Sequence, residues 1–170
     1  MEPIAERPYM PGYGVEECAD WNPLPWSWAA ERLGATRGYW LSTISPNEVP
    51  HSMAVWGVWD DAHLRFLFSA SADARKVRNL AARPHATVTT ESTSQCVSVQ
   101  GRVRAIEAEH IDGPVGLYVA KYGDEVGAEI LEPFIRQSPI FELIPECAFG
   151  MLETPEDFAA RATKWRFTQP

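Results

Sequence analysis

The chain has 170 residues, with 15 Lys plus Arg against 23 Asp plus Glu, a formal net charge of -8 and a pI near 5.0. That length suits one domain whose core needs no metal or disulfide, and the acidic balance excludes general attraction to nucleic acid or anionic lipid. Cys18, Cys96 and Cys147 are odd in number and widely spaced, so neither a disulfide framework nor a structural zinc is expected, and a reducing cytoplasm suits them.

Residues 1–24 carry Pro3, Pro8, Pro11 and Pro23 with little periodicity and read as an irregular arm ahead of a single domain over 25–170. The first residues are acidic and proline-rich where a signal peptide needs a basic start and an apolar core, and no apolar run reaches the length of a membrane span. "LPWSWAAERLGATRGYW" sets Trp26, Trp28 and Leu33 among helix formers, predicting a short helix that ends near Gly34 or Gly38. "YWLSTIS", "PHSMAVWGVWD" and "LRFLFSA" are β-rich runs separated by turn residues, which predicts three consecutive antiparallel strands.

The next segment, "SADARKVRNLAARP", breaks the series. Ala74, Val77, Leu80 and Ala81 recur at helical spacing, Ser71 can cap, and Pro84 discourages continuation. "HATVTTES" and "QCVSVQGRVRAIEA" return to a β pattern, the second long enough to bend at Gly101. Residues 112–137 read as helical, with Pro114 in a first turn and Pro133 expected to kink or split the second half. "IFELIP", "CAFGMLE" and "ATKWRF" complete seven or eight strands, a count that predicts a mainly β, closed or nearly closed antiparallel barrel with few helices.

Helix 71–84 also carries the clearest chemical signal. Arg75 and Lys76 fall in its first turn, where basic side chains oppose the helix dipole, while Ser69, Ser71 and the first-turn amides can converge on one point. An anionic ligand, a phosphate above all, reconciles these features; a solvated helix face is the alternative. His51 is a candidate general acid, because a histidine side chain can trade a proton near neutral pH. His63, His85 and His110 lack metal-ligand spacing, so no metal is expected. Tyr118, Lys121 and Tyr122 share one helix face that could line a substrate mouth or simply pack.

"YWLSTISPNEVPHSMAVWGVWDD" and "FSASADARKVRNLAARPHATVT" together resemble the opening hairpin and phosphate motif of the pyridoxamine phosphate oxidase-like split barrels, and "ATKWRF" is similar to their closing strand. The resemblance covers most of residues 38–106 and implies a split β-barrel, a homodimer, and a cofactor groove at the dimer interface. It places the cofactor phosphate on Arg75 and Lys76 with Ser69 and Ser71 as hydroxyl donors, and gives Asn79 a supporting role. His51, Ser52, Met53, Ala54 and Val55 would run along the ring, with Trp56 and Trp165 as candidate walls, core packing being the alternative for each. The family's flavin mononucleotide oxidases usually carry a Gln early in the long strand, where Cys96 stands here beside Gln95. Arg166 is a possible contact for a pyridoxine phosphate. The tryptophan-rich "VWGVW" and "TKWRF" look more like the branch that uses the deazaflavin coenzyme F420. The implied function is an F420-dependent oxidoreductase passing hydride to a small conjugated substrate. An FMN-dependent oxidase or reductase, or a non-catalytic flavin, deazaflavin or haem carrier, are the alternatives.

Overall fold

The computed structural model describes residues 2–168; Met1 of the expected arm and Gln169 and Pro170 of the expected barrel domain lie outside it. The strands are β1 (Ile4–Glu6), β2 (Tyr39–Ile44), β3 (Pro50–Val55), β4 (Gly57–Asp60), β5 (Arg65–Ser69), β6 (His85–Thr90), β7 (Gln95–Ala105), β8 (Ile140–Leu152) and β9 (Thr163–Arg166). The helices are α1 (Trp26–Ala35), α2 (Arg75–Ala82), α3 (Asp112–Val126), α4 (Ala128–Arg136) and α5 (Pro155–Arg161). All pairings are antiparallel, in the order β1-β9-β8-β7-β6-β2-β3, while β4 pairs with β5 and β5 returns to β8. This is the mainly β, antiparallel architecture expected from the strand pattern, in the split-barrel form that the resemblance implies.

Side-chain alternation sets the inner face. In β2, Tyr39, Leu41 and Thr43 are buried while Trp40 and Ile44 point out, and Ala86, Val88 and Thr90 do the same in β6. Their inner residues join Phe66, Phe68, Val97, Val99 and Leu143 in one core, and α1 closes it with Trp26, Ala29 and Leu33. A second cluster packs Tyr118, Tyr122, Leu131 and Ile135 of α3 and α4 against Val58 and Leu67. Strand β4 is therefore buried along its whole length, with Trp59 in the first cluster and Val58 in the second. Across β4, β5, β7 and β8, Arg65 bonds Asp60 at 2.9 Å and Glu142 at 2.7 Å, and Arg104 meets Glu142 at 2.6 Å. Burial alone would raise both carboxyl pKa values, but the guanidinium bonds outweigh it and hold them below the usual range.

Several expectations are corrected. "PHSMAVWGVWD" is two strands, because Trp56 leaves the sheet to stack on Tyr122 at 4.9 Å, and β4 turns to pair with β5 instead of β2. "IFELIP" and "CAFGMLE" form one strand, β8, which passes through Pro145 at a register shift opposite Gly101. A bulge tolerates a proline, since no ladder donor is needed there. The helical stretch 112–137 divides at Gly127, whose φ of 93° favours glycine, and Pro133 lies inside α4. Ser71 does not cap α2; Ala74 occupies that position without a side-chain bond. The arm is not wholly irregular, since β1 pairs with β9, and α5 has no counterpart in the sequence pattern.

Candidate functional site

Helix α2 begins one short loop after β5. Ala74 N donates to Ser71 O at 2.9 Å, and Val77 N and Arg78 N both donate to Ala74 O. Among the described residues the amides of Arg75 and Lys76 have no protein acceptor, which is the ordinary state of a helix start. Their side chains are free as well. Arg78 Nη1 donates to Asp73 O at 3.0 Å and Arg83 meets Glu48 at 3.1 Å, yet neither Arg75 nor Lys76 makes an ion pair or hydrogen bond among the described residues. Two cations and two amides without protein partners thus meet at one helix end among the described residues.

Strand β3 supplies a second wall. It ends the sheet path, so its outer edge has no neighbouring strand among the described residues, and Ser52, Met53 and Ala54 are exposed along it while Val55 turns into the core. His51 is half-buried, and its Nδ1 is buried without a partner. A hydrogen-bond chain ties this strand to α2. Buried Asn79 donates from Nδ2 to Thr43 Oγ1 at 3.0 Å, and Thr43 Oγ1 donates to His51 O at 3.4 Å. Thr43 was not singled out by sequence reasoning. Its only signal was an inward position on β2, which any small residue would share.

Ser69 and Ser71 line an apolar cavity with Trp56 and Tyr118, and Arg75 and Lys76 are not among its lining residues. Trp56 is 38% exposed, stacks on Tyr122, and has the Arg37 guanidinium 5.2 Å from its ring. Trp165 needs correction as a pocket wall: it is 1% exposed, 5.4 Å from Trp26, and enclosed by the core. Gln95 is committed to Arg32, which donates to its Oε1 at 2.9 and 2.6 Å. Burial pushes the Cys96 thiol pKa up. Arg166 donates to Glu6 Oε1 at 2.7 Å.

Tyr118 and Tyr122 are packed at 1% exposure, and of the three residues Tyr118, Lys121 and Tyr122 only Tyr118 also lines the apolar cavity. Lys121 Nζ donates to Tyr39 Oη at 2.7 Å and to Gly57 O at 3.0 Å. Burial lowers its pKa to about 8. Among the described residues no group of three or more His, Cys, Asp or Glu side chains could hold a metal, and no helix is long and apolar enough to cross a membrane.

A family model described as pyridoxamine 5'-phosphate oxidase matches residues 29–148. No curated protein sequence matches. Among solved structures, a conserved hypothetical protein from Mycobacterium tuberculosis is similar at a TM-score of 0.64 and 18% identity, covering 77% of this chain and 86% of that one. A protein described as an F420 reductase aligns at 0.53 and 20% identity, covering 69% and 93%. The haem storage protein HutZ from Vibrio cholerae aligns at 0.54 and 18% identity, covering 69% and 87%. At these identities the likeness is one of fold.

Proposed function

The chain belongs to the pyridoxamine 5'-phosphate oxidase family, and from that premise we propose that it is an oxidoreductase binding a phosphate-bearing flavin or deazaflavin, coenzyme F420 foremost. One observation carries this reading: the first turn of α2 holds Arg75 and Lys76 without carboxylate partners, although Arg78 and Arg83 beside them find partners. The free cations, the free amides and the orphaned His51 Nδ1 fit a phosphorylated ring cofactor.

When bound, the ring would supply hydride to a small conjugated substrate. The protein's own part is to hold and orient. Arg75 and Lys76 neutralise the phosphate at the helix start, and the exposed edge of β3 from Ser52 to Ala54 offers backbone donors and acceptors to the polar side of the ring. Asn79 and Thr43 fix the separation of these two parts by bonding α2 to β2 and β3. His51, half-buried on the same strand with Nδ1 lacking a protein partner, is the candidate general acid.

Two commitments disfavour a pyridoxine phosphate oxidase that uses flavin mononucleotide. Gln95 is engaged by Arg32 and Arg166 by Glu6, so the two side chains best suited to that chemistry are already paired. The fold shared with a haem storage protein makes ligand carriage without turnover the second reading.

The test is fluorescence titration of ligand-stripped protein with coenzyme F420 and, separately, with flavin mononucleotide, followed by mixing the reduced complex with conjugated acceptors. Tighter F420 binding and oxidation of the reduced coenzyme are expected. Binding without oxidation by any acceptor would leave the carrier reading, and binding of neither cofactor would overturn the assignment.

A further inference from the structure

A cavity of about 580 Å³ lies between α4, Trp56 and the loop after β5. Its volume is that of a small-molecule site. Leu131 and Ile135 form its inner wall and Tyr118 its floor, while Ile130 and Phe134 stand one helical turn apart at its rim. Those two rim side chains are 60% and 61% exposed, a large apolar surface for a chain this acidic. No Asp, Glu, Lys or Arg lines the cavity. Its lining includes the hydroxyl residues Ser69, Ser71 and Ser138, while the Tyr118 hydroxyl is spent on Trp56 O and Leu67 O.

Two of those hydroxyls have only loose partners. Ser69 Oγ donates to Pro139 O at 3.3 Å, and Ser71 Oγ accepts from Asp73 N at 3.4 Å, so both retain capacity for a ligand. A charged molecule entering here would lose water without gaining a counterion. A neutral ring system would bury its faces against Trp56, Leu131 and Phe134 and direct one carbonyl or hydroxyl toward the serines.

We propose that this cavity binds a neutral, mostly apolar ring compound bearing a single hydrogen-bonding group, and that such a compound is the substrate class of the enzyme. The second half rests on the oxidoreductase reading; the first does not. Ser69 and Ser71 connect the two sites, because Ser69 ends β5 and Ser71 lies in the short loop that leads into the first turn of α2. The cavity then opens beside the cofactor's phosphate site without sharing its cations, so one molecule can be recognised by charge and the other by apolar contact.

The experiment uses the full chain without cofactor and two dyes of nearly the same ring system, neutral phenylnaphthylamine and anionic anilinonaphthalenesulfonate. The neutral dye is expected to bind at least about tenfold more tightly. Phe134→Glu and Ile130→Gln, both at exposed positions, should each weaken it by a similar factor with far-ultraviolet circular dichroism and Tm retained. Lys76→Ala should leave it unchanged. No preference for the neutral dye, or indifference to both rim variants, would overturn the proposal. So would a fall from dimer to monomer in Phe134→Glu by light scattering, since a second copy would then be the occupant. Loss of dye binding in Lys76→Ala would show that the cavity is only part of the cofactor site. Failure of the coenzyme titration with dye binding intact would remove the oxidoreductase reading and leave the cavity standing.

Discussion

At the scale of single residues, the contrast among four neighbouring cations is the most informative feature. Arg78 and Arg83 are drawn to Asp73 O and Glu48, which leaves Arg75 and Lys76 exposed or half-buried at the positive end of a helix with nothing to offset their charge. Such an arrangement costs stability in isolation and is relieved by an anion. Lys76→Ala should therefore weaken coenzyme binding at least tenfold, about 1.4 kcal/mol, while leaving Tm unchanged or slightly higher. The readout is the dissociation constant from fluorescence titration, repeated at two salt concentrations because loss of a phosphate contact should also flatten the salt dependence. An unchanged constant would remove Lys76 from the phosphate site. The two basic residues were conspicuous in the sequence because charge at a predicted helix start is a local property. Their lack of partners was not legible, because Glu48 reaches Arg83 only through the folding of β2 and β3.

At the scale of elements, β7 and β8 show what pattern can and cannot disclose. The alternation in β2, β6 and β7 and the bend at Gly101 are local signals, and each element lies where the pattern put it. At that bend a Cβ would collide with the Ile144 carbonyl oxygen and with Leu143. Gly101→Ala should cost about 2 kcal/mol or more, through overpacking and a distorted bulge, and lower the urea midpoint without changing the slope. A midpoint equal to the parent's would mean that β8 moves aside freely. Tertiary partners decided the rest. Trp56 divides an apparently continuous strand because Tyr122, far along the chain, offers its ring. The long strand β8 absorbs Pro145 because a bulge opposite Gly101 accommodates it. Trp165 looked like a pocket wall by its motif, but α1 covers it with Trp26. Thr43 acquires its place in the candidate site only through Asn79 on another element.

At the scale of the whole molecule, two properties follow from how the layers close. The sheet ends at β3 with an open edge, and Trp40, Ile44 and Met53 on the last two strands are about half exposed, at 51%, 46% and 48%. Exposed apolar side chains beside an edge reserved for the ring favour association of two copies through their faces, so light scattering at micromolar concentration should report twice the 19.0 kDa of the chain, and Trp40→Lys with Ile44→Lys should return the monomer; a monomeric parent would sink this expectation. The second property is a pH dependence of stability with a turning point. Burial lowers the Lys121 pKa from 10.5 to about 8, so between those values the unfolded chain binds the proton that the folded chain has released, and stability rises with pH. Opposing groups limit the window. Burial raises the Cys96 and Cys147 thiols above an ordinary value of 9.0 and the Tyr39 and Tyr118 hydroxyls above 10.0, so each loses its proton first in the unfolded chain and erodes stability as pH climbs through those values. The Lys121 gain is partly exposed and screened by solvent, so it is best isolated as a difference between two proteins. Lys121→Met keeps the apolar stem against Tyr39 and Tyr122 while removing the titration. Urea midpoints at pH 7.5 and pH 9.5 should rise for the parent relative to the variant, and parallel curves would mean that Lys121 stays fully hydrated where it lies between α3 and β4.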